Sequence, residues 1–161
     1  MKTRLLLPGL LLSVSLLASG CSSDSKTPRN GNSASGDALP HMVVHKSPTC
    51  GCCKDWITYV ENAGFAVTAI DHDNVDPIKA ENGLTNPALK SCHTALIEGY
   101  VIEGHVPVSD IQRLLAERPD VTGLTAPGMP MMSPGMGSET PKDYDVLAFD
   151  SDGRAHVYSS Y

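Results

Sequence analysis

Short apolar blocks alternate with polar ones along most of the chain, and their period changes from block to block. Met42-Val43-Val44-His45, closed by Lys46-Ser47-Pro48, has the length and ending of a strand. Trp56, Ile57, Tyr59 and Val60 then recur at helical spacing. They predict a helix capped by Thr49 or Cys50, running to about Ala63 and stopped by Gly64. Phe65 to Ile70 predicts a second strand, and Val75 to Asn82 a short helix ended by Gly83. Thr94 to Glu98 and Tyr100 to Glu103 predict two strands joined tightly around Gly99. Val108 to Glu117 predicts a further helix, with Ser109 as its cap and Ile111, Leu114 and Leu115 on one face. Tyr144 to Phe149, a turn at Ser151-Asp152-Gly153 and Ala155 to Tyr158 predict a terminal hairpin.

The resulting order, β-α-β-α-β-β-α, is that of a thioredoxin-like α/β fold, here followed by a C-terminal loop and a β-hairpin extension from about residue 120. Right-handed crossovers make the first two strands parallel and the later pair antiparallel. A C-x₂-C pair, Cys50 and Cys53, stands where the first strand meets the first helix, as that fold family requires.

The first third of the chain reads differently. Residues 1–20 carry Lys2 and Arg4, then the apolar stretch Leu5 to Leu17, then small residues: a secretory leader, too short to span a membrane. Leu17-Ala18-Ser19-Gly20-Cys21 resembles the bacterial lipoprotein processing box, which implies lipidation of Cys21. Ser22 after it implies sorting to the outer membrane and a periplasmic location. Residues 21–39 form a polar tether with nothing to bury, expected to be disordered, and residues 40–161 the folded domain. Removing residues 1–20 deletes two positive charges and no acidic residue, so the net charge goes from −6 to −8. Such a chain, with no basic run, is unsuited to nucleic-acid binding.

The candidate chemistry lies in soft ligands. Cys50-Gly51-Cys52-Cys53 puts three thiols at a helix start, where unpaired N–H groups and the helix dipole favour the thiolate. Ser91-Cys92-His93-Thr94 occupies the loop that in a thioredoxin-like fold faces the C-x₂-C pair, so a fourth thiol is expected opposite the first three. A single tetrahedral zinc fits poorly, since there is one C-x₂-C knuckle and the adjacent Cys52 and Cys53 diverge by about 100° on a helix. Thiolates joined by thioethers or imidazoles favour Cu(I). Thioethers abound in Pro127-Gly128-Met129-Pro130-Met131-Met132-Ser133-Pro134-Gly135-Met136, which holds four of the six methionines without helical or strand period. His93 and His105 are candidate ligands or supporting donors, and His41 and His45 share a strand face. Nothing in the sequence assigns a role to His72 or His156.

Taken together, Lys46-Ser47-Pro48-Thr49-Cys50-Gly51-Cys52-Cys53 with Trp56, Ser91-Cys92-His93-Thr94-Ala95, Gly99 through Pro107, and Pro127-Gly128-Met129-Pro130 with Ser133-Pro134-Gly135-Met136 resemble the CopG-type periplasmic copper-resistance proteins. The resemblance implies a thioredoxin-like domain binding several copper ions at the CxCC cysteines, found with copper efflux systems. It makes Cys50, Cys52, Cys53 and Cys92 the candidate metal ligands, with His105, Met129 and Met136 inside family motifs and His93 beside Cys92. His45 departs from the aromatic residue expected there, and Met132 from a small one. The leading expectation is a polynuclear Cu(I)–thiolate protein able to interconvert Cu(I) and Cu(II). A thiol–disulfide oxidoreductase using Cys50 and Cys53, and a zinc-stabilised module docking on a membrane partner, are the alternatives.

Overall fold

The computed structural model describes residues 39–161. The apolar leader, Cys21 and residues 22–38 of the tether lie outside the described residues. In chain order the elements are β1 (Met42–Lys46), α1 (Gly51–Asn62), β2 (Val67–Asp71), α2 (Asp76–Glu81), a 3₁₀ turn (Pro87–Leu89), β3 (Thr94–Ile97), β4 (Tyr100–Gly104), α3 (Val108–Glu117), β5 (Gly123–Ala126), β6 (Asp145–Phe149) and β7 (Ala155–Ser160).

One sheet, ordered β2-β1-β3-β4-β5-β6-β7, carries the whole arrangement. β1 and β2 run parallel, β3 is antiparallel to β1, and β4 is antiparallel to β3. This is the thioredoxin-like core. It has a directional consequence: the C-terminal ends of β1, β2 and β4 and the N-terminal end of β3 share one edge. The loops after β1 and before β3 therefore meet there. The β3–β4 turn closes through Glu98 (φ 48°) and Gly99 (φ 85°), two left-handed residues in succession as a tight hairpin demands.

Both faces of the central strands are covered, while β2 and β7 at the two edges are largely exposed. Met42, Val44, Ala95, Ile97, Ile102 and Leu124 point to the face packed by Trp56, Ile57 and Val60 of α1 and Ile111 and Leu114 of α3. Leu39 packs at the margin of this core. On the other face Leu84, Leu89, Val101 and Phe149 form a smaller cluster.

One sequence expectation is extended and one corrected. The expected C-terminal hairpin forms as β6 and β7, and an additional strand, β5, pairs parallel with β4 and antiparallel with β6 and so joins the hairpin to the central sheet. Gly123-Leu124-Thr125-Ala126 is buried on both faces, so it lacks the alternation that marks a half-exposed strand. Ser109 does not cap α3. The cap position is Pro107, without a side-chain bond, and the amide of Val108 donates instead to the Tyr59 hydroxyl of α1 at 3.1 Å. A cap supplied from another helix leaves no trace in local sequence.

Candidate metal centre

Helix α1 begins at the shared sheet edge with Cys50 as its cap residue, in extended backbone, and the amide of Cys53 donates to Cys50 Sγ at 3.3 Å. Cys50 and Cys53 are joined by a disulfide, while Cys52 and Cys92 are free. Cys52 Sγ lies 3.6 Å from Cys50 Sγ, and Cys53 Sγ 3.5 Å from Cys92 Sγ. All four sulfurs sit within 4.8 Å of one another. The expected divergence of Cys52 from Cys53 thus does not separate them. Cys50 on the cap and Cys92 on the facing loop fill the angle between.

Cys92 also belongs to a second donor group, with His93 and His105. His105 Nδ1 is 2.7 Å from the carbonyl oxygen of Pro134. A carbonyl only accepts, so this nitrogen carries the proton and the neutral ring turns a lone pair on Nε2 toward Cys92 Sγ, 3.1 Å away. Burial lowers the pKa of His105 and favours that neutral form. His93 is fully buried, with Nδ1 3.4 Å from Cys92 Sγ and Nε2 without a hydrogen-bond partner. Burial above all, then the His105 charge, holds its pKa well below the usual range. The Cys92 thiol behaves unlike a helix-start thiol: burial, and next the neighbouring Cys52 charge, push it up to about 12. The helix-start argument for easy ionisation therefore does not extend to Cys92, which stands off the helix.

The facing loop is braced from behind by buried charges that sequence reasoning missed. Lys79 of α2 donates to Glu103 Oε1 at 2.5 Å and to Thr94 Oγ1 at 2.9 Å, and the Thr94 hydroxyl donates to Glu103 Oε2 at 2.7 Å. The same Glu103 carboxylate accepts from the amide of Ser91 at 2.5 Å, directly before Cys92. Burial raises the Glu103 pKa, which its Lys79 and Ser91 bonds oppose. One signal was available: Thr94 and Glu103 are cross-strand neighbours in a tight hairpin, and a carboxylate ending an apolar strand needs a cation.

The methionine loop folds over the thiols through its backbone. The amide of Gly128 donates to the Lys90 carbonyl at 3.0 Å, the Ser91 hydroxyl donates to the Gly128 carbonyl, and Pro134 receives His105. Gly135 sits in the left-handed region (φ 82°) on the first turns of α1. A Cβ there would stand 2.7 Å from Trp56 N and 2.9 Å from Cys52 O. Gly135→Ala is therefore expected to lift the loop and lower stability by about 1–3 kcal/mol. Urea unfolding, with protease cleavage between residues 127 and 144 as the local readout, checks this. Met129, Met131 and Met132 are exposed and Met136 is half-buried, so the ties to the thiol centre come from backbone groups. Of the remaining histidines, His41 bonds Thr68 and His45 bonds His72, and neither belongs to a donor group with the sulfurs.

A family model described as a protein of unknown function, DUF411, matches residues 89–136, a span that holds Cys92, His93, His105, Met129 and Met136. A comparison with curated proteins finds no match. Among solved structures, form 1 of copper resistance protein CopG is 40% identical with a TM-score of 0.70, covering 78% of this chain and 98% of that one. This chain belongs to the CopG family. Form 2 of CopG is likewise 40% identical, with a TM-score of 0.69 and 76% and 98% of the two chains covered. In this CopG-family chain the match takes in nearly all of each relative's length and about three quarters of its own.

Proposed function

We propose that this protein binds copper as cargo, holding several Cu(I) ions on the thiolates of Cys50, Cys52, Cys53 and Cys92 with imidazole support from His93 and His105. The observation that carries the reading is the shared position of Cys92. Its sulfur belongs at once to the four-sulfur group and to the two-imidazole group. Four soft donors beside two neutral imidazoles suit Cu(I), and the mixture with imidazole accommodates Cu(II) as well. Several ions rather than one follow from a donor set larger than a single tetrahedron. Met129 and Met136 lie in the loop that folds over this pocket and are assigned as thioether ligands when copper is bound.

Loading all four sulfurs requires opening of the Cys50–Cys53 bond. A dithiol reductant supplies two electrons and two protons, leaves as its own disulfide, and frees both thiols. The leader and the Cys21 box support export as an outer-membrane lipoprotein, working in the periplasm beside copper efflux or resistance proteins.

Anaerobic titration of the reduced chain with Cu(I) against a chelating competitor tests the reading. At least two equivalents are expected, with reduced capacity in Cys52→Ala. A single equivalent, unchanged by Cys52→Ala, rules the cluster out. A second reading, thiol–disulfide exchange, is favoured by the disulfide between half-buried Cys50 and buried Cys53. It requires disulfide reductase activity in metal-free protein that survives both Cys52→Ala and Cys92→Ala.

A further inference from the structure

One pair of imidazoles lies outside the thiol centre. His45 Nδ1 and His72 Nε2 stand 2.8 Å apart, with ring centroids 5.0 Å apart and planes inclined by 37°. His45 is on β1, where Met42 and Val44 turn into the main core, so its side chain leaves on the opposite sheet face. His72 directly follows β2, and its amide donates to the Lys46 carbonyl at 2.8 Å, which fixes it beside the end of β1. Both rings are half-buried, so each keeps solvent access. The flanking Lys46 charge is already taken up by Asp71, and exposed Asp73 follows His72. The Lys46 ammonium, the cation flanking His45, is thus already neutralised by its carboxylate partner.

We propose that His45 and His72 form a second metal site, which takes one Cu(II) at the surface and is separate from the thiol pocket. Imidazole is a borderline donor, and of the divalent first-row ions Cu(II) binds such nitrogens most tightly and prefers tetragonal geometry. Two ligands placed cis on a tetragonal ion, each about 2.0 Å from it, are about 2.8 Å apart. The two nitrogens already have that separation, so reorienting the rings toward a common point suffices. Solvent completes the coordination on the open side. Site and thiol pocket share one edge of the sheet: His45 is paired across the strands with Thr94, the residue after His93. The structure therefore carries a nitrogen site for the oxidised ion on the rim and a sulfur site for the reduced ion within. The rim site does not rest on the copper–thiolate reading, since none of its donors is a thiol.

The test uses the full chain, first given Cu(I) anaerobically, so that any copper on thiolates is silent in electron paramagnetic resonance. One equivalent of Cu(II) is then added. A tetragonal signal with coupling to two imidazole nitrogens is expected. His45→Phe and His72→Gln should each weaken Cu(II) binding more than about tenfold and remove one nitrogen coupling. His156→Gln, which alters an exposed histidine on β7, should change nothing. An unaltered signal in both His45→Phe and His72→Gln, or loss only in His156→Gln, overturns the site. Two variants on separate segments of the chain, one on β1 and one after β2, guard against a folding defect in one of them, and circular dichroism checks each. Thiolate-to-copper absorption is read in the same samples, so failure of the thiol centre and failure of the rim site are distinguished.

Discussion

Replacing Cys92 by alanine is expected to cost the protein most of its Cu(I), with affinity falling more than about 100-fold. Among the described residues Cys92 alone joins both donor groups, the four sulfurs and the pair of imidazoles. Its sulfur is 3.5 Å from Cys53 Sγ and 3.1 Å from His105 Nε2, so its removal separates the helix-borne thiols from the imidazoles. Loss of a supporting residue that merely orients a ligand already costs about 10–100-fold, and a ligand shared by two groups exceeds that. Metal-free stability should change less than copper affinity, because Cys92 is only half-buried, although its sulfur lies against Cys53, Ser91, His93 and His105. Competitor titration, paired with urea unfolding of the metal-free protein, separates the two effects. Wild-type copper capacity in Cys92→Ala would remove Cys92 from the centre.

The second large effect is on stability. Lys79→Met should destabilise the fold by about 3–5 kcal/mol, because it strands the fully buried Glu103 carboxylate. With total stabilities of about 5–15 kcal/mol for a domain of this kind, such a loss leaves a marginal protein. The double variant Lys79→Met, Glu103→Leu removes both charges, and it should recover a large part of the loss. Urea unfolding of the single and double variants measures this. Because Glu103 also holds the Ser91 amide, the single variant should loosen the Cys92 loop as well. Faster amide exchange at Ser91 would be its signature. Equal stability of Lys79→Met and wild type would mean the pair contributes nothing.

Most of the architecture could be read from pattern. Strand β1 and the helices α1 and α3 announce themselves by a regular stripe of apolar residues against the core, and β3 and β4, buried at nearly every position, by the tight turn at Gly99 between two apolar runs. The meeting of Cys92 with the CxCC group was also legible, since the strand order forces the loop before β3 to the edge where α1 starts. What escaped is non-local. Strand β5 is buried on both faces and so has no period. The cap of α3 is a tyrosine from another helix. Lys79, on the buried side of a helix of only six residues, acquires its meaning from Glu103, which lies 24 residues away. The partner that makes His45 notable, His72, is the residue just after the neighbouring strand β2 and was silent in sequence.

The antiparallel pairing of β5 with β6 has a consequence for residues 127–144. That segment is an insertion in a hairpin, with both ends anchored side by side in the sheet. Loop-closure entropy grows only slowly with loop length, so lengthening or shortening such an insertion costs the sheet little. The insertion's composition is thereby decoupled from the strands that carry it. As far as the sheet is concerned it is a module that can be rewritten residue by residue, held where Gly128, Pro134 and Gly135 touch down on the domain beneath and, under the copper reading, at Met129 and Met136.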